Sequence, residues 1–267
     1  MKISIYLSIA VFFIGTGCDS APNFAQLCEE NPKICYEFHE DSWCKRERIA
    51  VGAANIAHKQ NPDDLQKFHQ LIAYEKYNKC VTHASKIEHI KLKEKKSFRI
   101  ENMMKSRDRI AEIAEQTINS DHPRLLYFHW TRYLNEQSLN KFLALEGSKA
   151  LETPESQYEL ATYYAKIDQD KTLQLLFHSL ELHEENVEIN VEIFKTLSSI
   201  FADKKQFKQS YIWLKILNLY APLDPDISEN TLKNYRQSYN LKGEFLDKVA
   251  QSTLDKIKDS TFISPKF

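Results

Sequence analysis

The 267-residue chain is expected to be all-α, a succession of helical hairpins. Apolar residues recur at the period of one helix face, and no stretch alternates apolar and polar residues as a half-buried strand does. Glycine is scarce: only Gly52, Gly147 and Gly243 lie beyond residue 17. So few glycines leave no Gly-rich phosphate loop and little material for tight β-turns. Prolines 32, 62, 123, 154 and 222 stand where an apolar period starts or stops. Proline is tolerated in a helix's first turn and excluded from its interior.

The chain opens on Lys2 and a run of twelve uncharged residues, ISIYLSIAVFFI, followed by Gly15, Thr16, Gly17 and Cys18. A basic start, a short apolar run and small residues predict a secretory signal over 1–17. The run is too short for a comfortable membrane span, which takes about 20 residues. The IGTGC sequence resembles the bacterial lipoprotein signal, with Gly15 where a branched apolar residue is usual. That resemblance implies a diacylglycerol on the Cys18 thiol and cleavage before it, so membrane lipid is the first expected partner. Asp19 resembles an inner-membrane retention signal of enteric bacteria; elsewhere the rule is looser, and either membrane stands. The expected location is the cell envelope, facing the periplasm.

Losing 1–17 removes Lys2 and no acid, so the formal net charge moves from −1 to −2. Nucleic acid asks for a basic surface, and no nucleic-acid partner is expected.

A tether over 18–27 leads to a helical module over 28–119. It holds Cys28, Cys35, Cys44 and Cys80, an even number that reads as disulfides in an exported chain. Three pairings are open. Trp43 to Lys59 reads as a helix with Ile49, Ala53, Ile56 and Ala57 inward; Asn61-Pro62-Asp63 reads as a turn; Leu65 to Cys80 reads as the returning helix. Cys44 lies 17 residues before Asn61 and Cys80 lies 19 after it, so an antiparallel hairpin brings them level. Cys44–Cys80 is the expected bond, with Cys28–Cys35 as a local staple. Metal or thiol chemistry is the competing reading, but there is no C-x-x-C and no zinc-ribbon spacing.

Lys86 to Arg109 carries nine cations against four acids. One reading is a basic helix facing anionic lipid headgroups or an acidic partner. The plainer reading is a long helix with a solvated face.

Residues 120–259 read as helical repeats with capping helices, and 260–267 as a loose tail. His122-Pro123 starts one helix and Ser138 to Leu151 forms another. Pro154 to Pro222 then holds four amphipathic helices in two hairpins. Leu160, Ala161 and Tyr164 return as Leu197, Ser198 and Phe201, 37 residues later. Repeating hairpins stack because neither can bury its apolar face alone. With Phe194 and the small Ser210, this stretch resembles a degenerate tetratricopeptide (TPR) or Sel1-like pair. It departs at Gln157, at Leu173 and in its length of 37 against the usual 34. The resemblance implies an α-solenoid whose first helices line a groove. In that frame the groove carries Tyr158, Thr162, Lys166, Lys195, Ser199 and Asp203, suited to peptide recognition or merely solvated. The segments LCEENPKICYEF…DSWCKRER, SDHPRLLYFHW and TPESQYELATYYAK also resemble an uncharacterised family of bacterial lipoproteins. That family joins a domain of unknown function to TPR-like helices.

No H-E-x-x-H, G-x-S-x-G or P-loop is present, and no cofactor is expected. His122 and His129 share a helix face; capping and core roles suit them better than ligation. The leading expectation is therefore a lipid-anchored adaptor for an envelope protein or peptide. The alternative is an envelope hydrolase or cell-wall-modifying enzyme whose carboxylate or His site only the fold assembles.

Overall fold

The computed structural model describes residues 24–88 and 93–265; residues 1–23, with the expected signal sequence and Cys18, residues 89–92 and the last two residues lie outside them. Every regular element among the described residues is a helix. The chain divides into two units, at Glu115 and Gln116.

In the first unit, α1 (Phe24–Glu30) and α2 (Pro32–Cys35) precede the hairpin of α3 (Lys45–Gln60) and α4 (Asp64–Ala84). Asp63 starts α4 by accepting the Gln66 N–H, an N-cap. Both disulfides join the pairs named above: Cys28–Cys35 with Cα atoms 5.5 Å apart, and Cys44–Cys80 at 5.9 Å. The buried face of α3 is rotated from expectation. Val51, Gly52 and Ile56 are buried, whereas Ala53 is exposed. The cause is a second neighbour: the Phe24 ring of α1 lies where a side chain at Gly52 would be, 2.8 Å from an added Cβ. A side chain there would have to displace the Phe24 ring, so glycine suits the close approach.

The basic stretch is not one helix. α4 ends at Ala84, Lys86 to Glu88 follow it as irregular chain, and α5 (Glu94–Thr117) begins afresh. The loop over 36–43 is fastened to α4 and α5. Phe38 packs on Tyr77 and Tyr74, with ring centroids 4.6 and 6.1 Å away. Glu37 accepts hydrogen bonds from the Tyr74 hydroxyl and Arg109 Nε, both at 2.8 Å. His39 and Asn102 exchange two bonds, and Arg99 pairs with Asp41.

The second unit holds three successive helix pairs: α6 (Pro123–Tyr133) with α7 (Glu136–Ala144), α8 (Pro154–Tyr164) with α9 (Gln169–Glu181), and α10 (Val191–Asp203) with α11 (Phe207–Tyr220). Side chains of Asn135, Thr153, Asp168 and Asn190 cap the starts of α7 to α10. The core runs from Leu173, Leu176 and Phe177 through Phe194 and Leu197 to Tyr211 and Trp213. Small residues let α10 and α11 approach closely: Ser198 and Ser210 touch through their hydroxyls at 3.1 Å. Then α12 (Glu229–Ser238) and α13 (Gly243–Lys258) both pack on α11.

Two expectations are corrected here. The second helix of the first pair stops at Ala144, short of Leu151, because Gly147 takes φ +76° and a separate turn of 3-10 helix follows at Lys149–Leu151. The tail over 260–265 is docked: Phe262 stacks on Phe177, and Ser264 Oγ donates to Glu181 at 2.8 Å.

Candidate functional site

Each first helix of the three pairs contributes to one polar region in the second unit. On α6, Tyr127 sits beside Thr162 of α8, with their oxygens 3.0 Å apart. Tyr158, one turn before Thr162, is half-buried beside Asn190, the cap of α10. Burial raises the pKa of both tyrosines above the usual phenol range. These hydroxyls therefore act as neutral donors and acceptors, and part of that capacity is used within the fold.

The six residues expected to line a groove fall into two groups. Tyr158 and Thr162 have the partners just named. Lys195 is surrounded by Glu192, Asp224 and Asp226, at 3.1, 2.9 and 2.7 Å, which holds the loop after α11 against α10. Its bonds to Asp226 and Asp224 raise its affinity for a proton, and the Asp226 N–H, followed by Lys195, makes Asp224 more acidic than usual. Lys166, Ser199 and Asp203 are exposed. Three of the six are thus engaged within the fold, and one cation, one hydroxyl and one anion are exposed.

Between these residues lies a group that the spacing did not single out. Glu159 is 6% exposed and faces Arg124 of α6 at 3.3 Å. Burial, opposed by the Arg124 charge, pushes its carboxyl up to about 8, so it keeps its proton at neutral pH. One carboxyl oxygen, Oε2, has no hydrogen-bond partner among the described residues. The available signal was α8 itself. Its buried residues Ser156, Gln157, Glu159, Leu160 and Ala161 do not confine themselves to one stripe. A helix covered on more than one side takes polar residues inside.

The two histidines keep fold-building roles. His122 Nδ1 caps α6 by accepting the Arg124 N–H at 3.3 Å, and His129 is buried with Nε2 3.0 Å from Thr117 Oγ1. No group of three or more His, Cys, Asp or Glu that could hold a metal ion occurs among the described residues. In the first unit, several cations of the basic stretch are already engaged. Arg99 is buried against Asp41; Lys105 donates to the Glu37 carbonyl; Lys96 pairs with Glu88. Lys93 and Arg107 remain exposed.

A family model for a protein of unknown function, DUF2989, matches residues 16–215. The chain belongs to the DUF2989 family. No curated protein and no solved structure matches it. The match takes in both disulfides and the three helix pairs up to the middle of α11, and leaves α12 and α13 of this DUF2989 chain outside. No described helix is long and apolar enough to cross a membrane.

Proposed function

We propose that this DUF2989 protein is a lipid-anchored, periplasm-facing adaptor of the cell envelope. Its helix pairs would stack as a TPR-like solenoid and bind a protein or peptide along the first-helix face. The observation that carries this reading is the succession of three helix pairs whose first helices carry polar residues, with Lys166, Ser199 and Asp203 exposed. Those groups suit an extended or helical peptide held by hydrogen bonds and ion pairs. The lipoprotein-like IGTGC start supports the anchor, through an acylated Cys18. Anionic lipid contact through the 86–109 stretch is retained only for its exposed cations, such as Lys93 and Arg107.

The test is crosslinked capture of the lipidated protein from its own membranes. A partner that couples to wild type should be lost on Lys166→Glu with Asp203→Lys and kept when Lys248 is reversed instead. Equal capture by both variants would remove the groove from the proposal.

A second reading, an envelope hydrolase, is favoured by one observation. Glu159 is buried and protonated, while Glu155, one turn earlier on α8, is exposed. A carboxyl that burial keeps protonated at neutral pH is what a general acid requires. Turnover of a cell-wall fragment that disappears in Glu159→Gln, with folding intact, would put this reading first.

A further inference from the structure

A cleft of about 500 Å³ opens in the second unit. One wall is the connection from α9 to α10, with His183, Glu185 and Glu188; the other is Tyr220 at the end of α11 and Lys258 and Asp259 at the end of α13. We infer that this cleft binds an alkylammonium group, such as the lysine side chain of a partner peptide.

Four features carry the assignment. First, the C-termini of α9, α11 and α13 all end beside it. Carbonyl groups left unpaired at helix ends give each a partial negative charge that favours cations. Second, the exposed carboxylates of Glu185, Glu188 and Asp259 line it against the single cation Lys258. Third, His183 is 6% exposed, lines the cleft, and its imidazole has no hydrogen-bond partner among the described residues. Burial lowers its affinity for a proton even though Glu155 and Glu184 oppose that, so it offers a neutral ring nitrogen as an acceptor. Fourth, the chain already places an ammonium here. Lys258 Nζ lies 5.8 Å from the centre of the Tyr220 ring, a cation–π arrangement.

The walls are built before any ligand arrives. The Tyr220 hydroxyl accepts the Ile189 N–H at 2.8 Å, Ile189 is buried in the core, and the Tyr220 ring meets Phe194 edge-on at 5.9 Å. The carboxylates do not form a metal-ion cluster. A spread set of acceptors suits an ammonium, whose three N–H donors each need one.

The test uses the full chain in detergent, titrated calorimetrically with a tetralysine peptide, with tetraglutamate as control and spermidine as a second arm. Tetralysine should bind and tetraglutamate should not. Glu185→Gln, Glu188→Gln and Asp259→Asn together should weaken binding about tenfold, since each exposed pair is worth a few-fold at most. The same neutralisation at Glu136, Glu244 and Asp255, all outside the cleft, should leave it unchanged. Lys258→Met removes the built-in competitor and should tighten binding about threefold, the size of one exposed like-charge contact. Spermidine bound with this same variant pattern, and tetralysine not, would assign the site to a free polyamine. No binding of either, equal loss in the two neutralised sets, or indifference to Lys258→Met would overturn the assignment. Lys166 and Asp203 take no part in these variants, so failure here leaves the adaptor groove standing, and the reverse.

Discussion

Glu159 shows how one side chain departs from what its sequence context suggests. Its neighbours Tyr158 and Leu160 mark a helix that packs, and a glutamate between them would ordinarily point to water. Here the carboxyl is buried beside Arg124, and burial outweighs the attraction of that cation. Its pKa is pushed up to about 8, well above the usual carboxylate range. The folded chain therefore holds a proton that the unfolded chain has released. The stabilising contribution is complete below the unfolded value and is lost as pH rises through that window. Glu159→Gln stays neutral throughout. Thermal melts at pH 5 and pH 8 should show the variant gaining on wild type by about 4 °C or more, given that 1 kcal/mol shifts a melt by roughly 2–4 °C at this size. A difference that does not change with pH would mean that Glu159 is ionised against Arg124. Asp41 runs the other way. Burial pushes it up, but bonds from Arg99 and the Trp43 N–H together win and hold it below the usual carboxylate range. Its contribution is present at neutral pH and lost on acidification.

At the level of helices and their joints, the starts were written plainly and the stops less so. Pro123 and Pro154 each occupy a first helical position, and Asp63, Thr153, Asp168, Asn190 and Ser228 cap as their residue types predict. Hairpin geometry also placed the Cys44–Cys80 bond, because residues equidistant from a turn meet across it. The inward face of α3 was misread, since periodicity registers a stripe without saying how many neighbours will cover it. The loop over 36–43 was invisible for a related reason. Glu37, His39 and Asp41 look like solvated loop residues, yet each finds its partner on α5 about 60–70 residues later in the chain. The same blindness hid Glu159. The two disulfides offer a graded test of this unit. Closing the longer loop between Cys44 and Cys80, against the seven-residue separation of Cys28 and Cys35, should matter more. On the chain-entropy account, paired Cys→Ala changes should cost about 4 kcal/mol at Cys44/Cys80 and about 2.5 kcal/mol at Cys28/Cys35. Urea unfolding of the two variants measures both; an equal or inverted order would mean that local strain, not loop closure, sets their worth.

For the whole molecule, the question is what holds it where an adaptor would act. The described residues supply no membrane-crossing helix. Attachment on our proposal therefore rests on Cys18, just six residues before α1 begins at Phe24. Each buried methylene of an acyl chain contributes about 0.8 kcal/mol, and a single chain gives only marginal, reversible binding. Two or more chains on one cysteine would hold the protein firmly, whereas the exposed cations left on the 86–109 stretch would add little at physiological ionic strength. Cys18→Ser should therefore move the chain from the membrane fraction to the soluble fraction without changing its melting profile. Mass spectrometry of the wild-type N-terminal peptide should find it beginning at Cys18 and carrying fatty acid. Charge reversal at Lys93 and Arg107 should leave the lipidated protein on the membrane, because the anchor dominates. If Cys18→Ser stays membrane-bound and the reversal releases it, the order of these forces is the opposite: the basic stretch is the attachment, and the adaptor would have to be sought on a surface that faces the lipid.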